Sequence, residues 1–259
     1  IDASPIYEFG YYVHIVHFVM TSAQMAGDAK TGVAMAEKLD AKLPMDMAAA
    51  VPFAQPIKAA PYYALAQYGA PETVLQLKDP GDGLPFLKAA WRYARGEAYA
   101  KMGAVGKARA EADAIERIAA SSDLASLEQA NIPASQILDI MRYTVQSRAA
   151  AAGGDLALAI DAIGKAVALQ EGLNYTEPPY WYYPAKQTLA ALVLRQGDAE
   201  RAEQLFIETL AEAPNNGWAL YGLSEAYKAQ KDKNGSKYAA GLFKKAWAGD
   251  RKTIAVERL

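Results

Sequence analysis

Apolar residues in this chain recur three and four positions apart, in blocks separated by short polar breaks, and sustained alternation is absent. That spacing marks one face of an α-helix. The blocks predict helices over residues 5–26, 28–43, 45–59, 61–69, 71–78, 84–102 and 105–121. They continue over 123–130, 133–152, 155–171, 179–196, 198–213, 215–230 and 236–248. Ala89-Ala90 and the run 149–152 favour helix strongly and let neighbouring helices approach closely. Residues 79–83 read as a turn, Asn131-Ile132-Pro133 as a break, and Glu177 to Pro179 as an extended entry into a helix.

The breaks repeat themselves. Gly27-Asp28-Ala29, Gly154-Asp155-Leu156 and Gly197-Asp198-Ala199 each end one apolar block and begin the next. Glycine takes the left-handed conformation that terminates a helix, and aspartate then caps the amides of the following one. Each triplet therefore predicts the corner of a helical hairpin. A small residue follows at Gly32, Ala159 and Ala202, where two antiparallel helices would cross closely. Two looser corners are Met102-Gly103-Ala104-Val105 and Tyr68-Gly69-Ala70-Pro71. The lysine-rich stretch Lys231 to Lys237 reads as a loop in place of a further glycine corner.

Leu189-Ala190, Val193, Gly197, Ala202, Phe206, Leu210 and Pro214 together resemble one complete tetratricopeptide repeat. Gly96, Tyr99, Gly103, Ala108 and Ile115 resemble a second copy, and Val19, Gly27, Leu39 and Pro44 a looser third. Tyr227 follows Val193 by about 34 residues, the period of that family. Residues 177–184 and 214–220 resemble the C-terminal part of a bacterial group of long tetratricopeptide-repeat proteins. The resemblance implies an all-α fold, a right-handed superhelical solenoid of antiparallel helix pairs. It implies a single domain over residues 1–259, with repeats near 13–44, 55–78, 89–121, 140–171, 183–214 and 217–248. Such a stack curves, and its concave side is the expected binding surface.

In the frame of that family the first helix of each pair lines the groove. The residues expected there are His14, His17, Tyr93, Glu97, Arg148, Gln187, Trp218 and Tyr221. His14 and His17 are the chain's two histidines, three apart on one helix, a spacing compatible with joint metal ligation. With Glu97 as third ligand they form the candidate transition-metal site. The plainer reading makes them polar groove residues facing a partner or water, and no other cofactor is expected. The aromatic run Tyr180 to Tyr183 is expected to pack between repeats. Tyr7, Tyr11 and Tyr12 are candidates to cover a seam toward a repeat upstream. Arg92, Arg95, Arg142 and Arg148 offer forks for carboxylates, with internal acids such as Glu97 and Asp139 as the competing partners. Glu37, Glu111 and Glu116 are expected on solvated faces.

Composition narrows the function classes. The chain has 259 residues, a net charge of −2 and no cysteine. Thiolate chemistry is excluded, and no basic cluster suggests a nucleic-acid partner. No apolar run is long enough to span a membrane. Lack of cysteine tilts slightly toward an exported protein. Residues 103–108 echo a phosphate loop without its hydroxyl residue, and 222–226 echo a nucleophile elbow inside a predicted helix. The expected activity is non-enzymatic: a scaffold binding a peptide or protein in its groove. The alternatives are a metal-binding protein and an assembly protein that self-associates by stacking its repeat ends.

Overall fold

The computed structural model describes residues 10–259, and among these it contains α-helices and no strand. In chain order they are α1 (Tyr12–Met25), α2 (Ala29–Lys42), α3 (Met45–Ala50), α4 (Ala54–Tyr68) and α5 (Pro71–Leu75). Next come α6 (Pro85–Lys101), α7 (Val105–Ser121), α8 (Ala125–Gln129), α9 (Ala134–Ala152) and α10 (Leu156–Glu171). The last four are α11 (Ala185–Gln196), α12 (Ala199–Glu212), α13 (Gly217–Ala229) and α14 (Lys233–Ala246). The predicted helix start at residue 5, and Tyr7 with it, lies outside the described residues. Tyr12 is partly buried on the core, and Lys38 lies over its ring.

The corners are built as their chemistry requires. Gly27, Gly154 and Gly197 all have positive φ, and Asp28, Asp155 and Asp198 accept from the main-chain N–H three residues on. Gly32, Ala159 and Ala202 are buried at the helix crossings. The lysine-rich stretch is not a loop. Lys231 takes the left-handed conformation at φ 64°, Asp232 caps the amides of Asn234 and Gly235, and α14 begins at Lys233. The corner survives there because capping by aspartate does not depend on glycine before it. The corner at Gly69 differs in the other direction. Its φ is −65°, and glycine is needed because a Cβ would press on the Leu65 carbonyl and Val74.

Prolines shift three predicted boundaries. The chain breaks at Val51-Pro52, where the residue before proline is extended, so α3 ends at Ala50. Pro61, the expected break, lies inside α4, whose packing against α2 and α6 holds the helix through the missing hydrogen bond. Pro178, Pro179 and Pro184 keep residues 174–184 out of helix, and α11 starts at Ala185 instead of 179.

Helix pairs pack in sequence, α2 on α4, α4 on α6, α6 and α7 on α9, α10 on α11, and α12 on α13. Phe86, Leu87, Ile137, Leu138, Met141 and Phe206 fill the seams and are fully buried. Burial of each such side chain is worth about 1.5–3 kcal/mol. Glu111, expected in solvent, is instead buried between the two helices of one pair, α6 and α7. Its two oxygens accept from Arg92 Nη1 at 2.9 Å and Arg95 Nε at 2.8 Å. Arg142 pairs with Asp139 and Glu116, which like Glu37 stays at the surface.

The two ends of the array touch. Trp218 Nε1 donates to the Gln24 carbonyl at 2.8 Å, and Ala248 N–H donates to the Ala26 carbonyl at 2.8 Å. The Trp247 indole covers Gly27 and stands edge-on to Trp218, 4.8 Å between ring centroids. The chain is thus an all-helical stack of hairpins whose last pair returns to the corner of its first.

Two glycines test this closure. Gly27 and Gly197 both have positive φ, but a methyl group on Gly27 would lie inside the Trp247 ring, whereas Gly197 has open space. Gly197→Ala should cost about 1–2 kcal/mol from backbone strain alone. Gly27→Ala should cost about 1–3 kcal/mol more through overpacking, read as the difference in unfolding free energy by denaturant titration.

Candidate ligand cavity and the histidine pocket

A cavity of about 470 Å³ lies at the centre of the stack. Each helix that lines it is the first of its pair, as a repeat array dictates. Residue spacing of three and four then aims whole stripes inward. Helix α4 contributes Ala66 and Gln67, α6 contributes Tyr93, Glu97 and Lys101, and α9 contributes Arg148, Ala151 and Ala152. Arg195 comes from α11, Trp218 from α13, and Tyr182 and Tyr183 from the proline-flanked segment before α11. Glu257 and Arg258, from the segment after α14, complete the wall.

Four of the expected groove residues meet here: Tyr93, Glu97, Arg148 and Trp218. Glu97 is 6% exposed, and its Oε1 lies 3.5 Å from Arg148 Nε, an ion pair longer than a hydrogen bond. Neither of those two atoms, nor Gln67 Nε2, has a hydrogen-bond partner. Burial pushes the phenols of Tyr93, Tyr182 and Tyr183 above the ordinary tyrosine range, so all three stay neutral. The lining therefore carries four cations, Lys101, Arg148, Arg195 and Arg258, against the two carboxylates Glu97 and Glu257. Its aromatic side is continuous with the core, where Tyr63, Tyr93 and Trp181 meet edge-on at centroid distances of 5.2 to 5.7 Å. The expectation that residues 180–183 pack holds for Trp181, while Tyr182 and Tyr183 are both packed and cavity-lining.

The other four expected groove residues are elsewhere. Gln187 is fully buried and accepts from Asn216 Nδ2 at 2.7 Å, tying α11 to the corner before α13. Tyr221 packs on Phe243 of α14, 5.6 Å between centroids. His14 and His17 line a separate pocket of about 200 Å³, walled by Phe53, Pro56, Ile57 and Pro178 to Tyr180. The cause is the stretch 176–182. It closes over the inner face of α1, and Tyr182 lines both spaces as a partition. Glu97 is thus on the other side of that partition from the histidines. Among the described residues, no group of three histidine, cysteine or acidic side chains is placed to hold a metal ion.

Missed by sequence reasoning were Lys101, Arg195 and the segment after α14. Lys101 follows Tyr93 and Glu97 at four-residue intervals, so continuing that stripe would have found it. The segment 248–259 has no periodic signal that could place it.

Residues 181–237, covering α11, α12, α13 and the first turn of α14, match the family model for the tetratricopeptide repeat. Fold and match together define an all-helical stack of hairpins whose residues 181–237 are similar to the tetratricopeptide repeat. No curated protein matches the chain. Tetratricopeptide repeats generally mediate protein–protein interaction or scaffolding. Among the described residues, no helix is long and apolar enough to cross a membrane.

Burial of His17 pulls its imidazole down to about 4, and the neighbouring His14 adds to the effect. The folded value lies below the ordinary 6.5, so the unfolded chain takes the proton first. Stability should fall as pH drops from about 6.5 toward 4, by roughly 2–3 kcal/mol at pH about 4.5. The His17→Gln variant should lose that much less between pH about 7 and 4.5, measured by denaturant unfolding at both values.

Proposed function

We propose that this protein is a non-enzymatic binding module that takes a peptide segment of a protein partner into its central cavity, with partner carboxylates set against the cationic wall. The observation that carries this reading is the state of Arg148 and Glu97. Glu97 is buried and Arg148 half-buried at the cavity, and each keeps a polar atom without a hydrogen bond. Leaving such groups unmade costs about 1–3 kcal/mol each, and more when they are charged, so a ligand that completes them recovers that cost. Tyr93, Tyr182 and Trp218 supply flat apolar area beside them, as anchoring aromatics do in many recognition sites. Shape argues the same way. A partly open cavity of this size suits a few residues of chain more than a folded domain face.

Charge decides which peptides fit. The excess of lysine and arginine over glutamate favours acidic segments and speeds their encounter. His14 and His17 play no part in this site, since they line the separate pocket.

Arg195 is exposed at the rim, so its replacement leaves the packing intact. Acidic peptides selected from a display library on the wild-type chain should bind Arg195→Glu at least about tenfold more weakly. Arg148→Gln should weaken them further, by fluorescence anisotropy with folding checked by circular dichroism. Equal affinity for all three chains would remove the cavity from the binding surface.

A further inference from the structure

We infer that residues 254–259 are a built-in occupant of the partner site, and that the partner peptide displaces them by offering the same features, an aliphatic side chain beside an oxygen acceptor. This rests on the peptide-binding reading above and specifies which part of a peptide the site reads. Leu259 is fully buried and Ile254 is 8% exposed. The main-chain oxygen of Leu259 accepts from the Arg148 guanidinium and from Thr188 Oγ1 at 3.3 Å. Tyr183 Oη donates to the carbonyl of Arg258 at 3.4 Å. These donors come from α9, α11 and the segment before α11, so three parts of the inner wall converge on two successive main-chain oxygens. Main-chain oxygens are common to every peptide, and a pocket for one side chain supplies the selection.

The occupant is held less firmly than the helices around it. Residues 248–255 lack regular structure, and 256–258 form a single short 3-10 turn against α11. A short segment without a regular helix, anchored by two apolar side chains, opens at less than the global unfolding cost. The array beneath does not depend on it, because the closing contacts of Trp218, Trp247 and Ala248 lie before Gly249. Arg148 Nε has no hydrogen bond, so the resident segment leaves one donor of the guanidinium unused.

The test uses the full chain and a fluorescent synthetic peptide with the sequence of residues 254–259, made as free acid and as amide. Leu259→Asp should eject the resident segment without touching a helix, which an unchanged helical circular dichroism spectrum verifies. Competition by the resident segment lowers apparent affinity in proportion to the fraction of open sites. The peptide should therefore bind Leu259→Asp at least about tenfold more tightly than wild type, and adding Arg148→Gln should abolish the gain. Preference for the free acid would assign recognition to a carboxylate, and equal binding of both forms to a main-chain carbonyl. Equal affinity for wild type and Leu259→Asp, or a gain that survives Arg148→Gln, would overturn the inference. If acidic library peptides still bound in an Arg195-dependent way in that case, the cavity reading would stand and the displaceable occupant would not.

Discussion

Everything in this molecule is arranged around the end of helix α1. A helix terminus leaves carbonyls without intrahelical partners, and buried carbonyls need donors. Here the donors come from far along the chain. Gln24 O accepts from Tyr68 Oη of α4 and Trp218 Nε1 of α13, and Ala26 O accepts from the amide of Ala248. Gly27 then admits the Trp247 indole where any side chain would block it. A stack of hairpins could remain an open arc. These contacts bring its last pair back to its first corner and turn a concave surface into a partly enclosed cavity.

That enclosure explains the electrostatics of the interior. An arginine and a glutamate facing an open groove would be hydrated, and their pairing would matter little. Inside a partly enclosed cavity they lose much of that water and need partners. Glu111 shows the completed case, with both oxygens bonded to Arg92 and Arg95. Glu97 and Arg148 show the uncompleted one, paired at 3.5 Å with atoms left over. The contrast between two buried carboxylates in one fold is the physical ground for placing a ligand at the second and a purely structural role at the first.

How far this could be read from the chain follows the range of the interactions involved. Corners such as Gly154-Asp155 depend on three or four neighbouring residues, so they were legible, and helix order followed from them. Lys231-Asp232 was misread because its glycine is absent while the capping aspartate is kept. The inward stripe of α6 was legible from Tyr93 and Glu97, since periodicity alone sets it. His14 and His17 satisfy the same local rule and still miss the cavity. What excludes them is the stretch 176–182, more than 150 residues away. The meeting of Trp247 with Gly27, and the path of residues 248–259, depend on the accumulated rotation of all the pairs. No local pattern encodes that rotation.

Closure can be measured without ambiguity because the chain has no cysteine of its own. Lys30 and Lys245 are exposed, on the first turn of α2 and near the end of α14. Spin labels on cysteines placed at those two positions report the separation of first and last hairpins by pulsed electron resonance. A ring closed through Trp247 and Gly27 predicts one short, narrow distance distribution that broadens and lengthens when Trp247 is replaced by alanine. A long, broad distribution in the unaltered ring, insensitive to that replacement, would mean that the array is open and the cavity does not exist as an enclosed site.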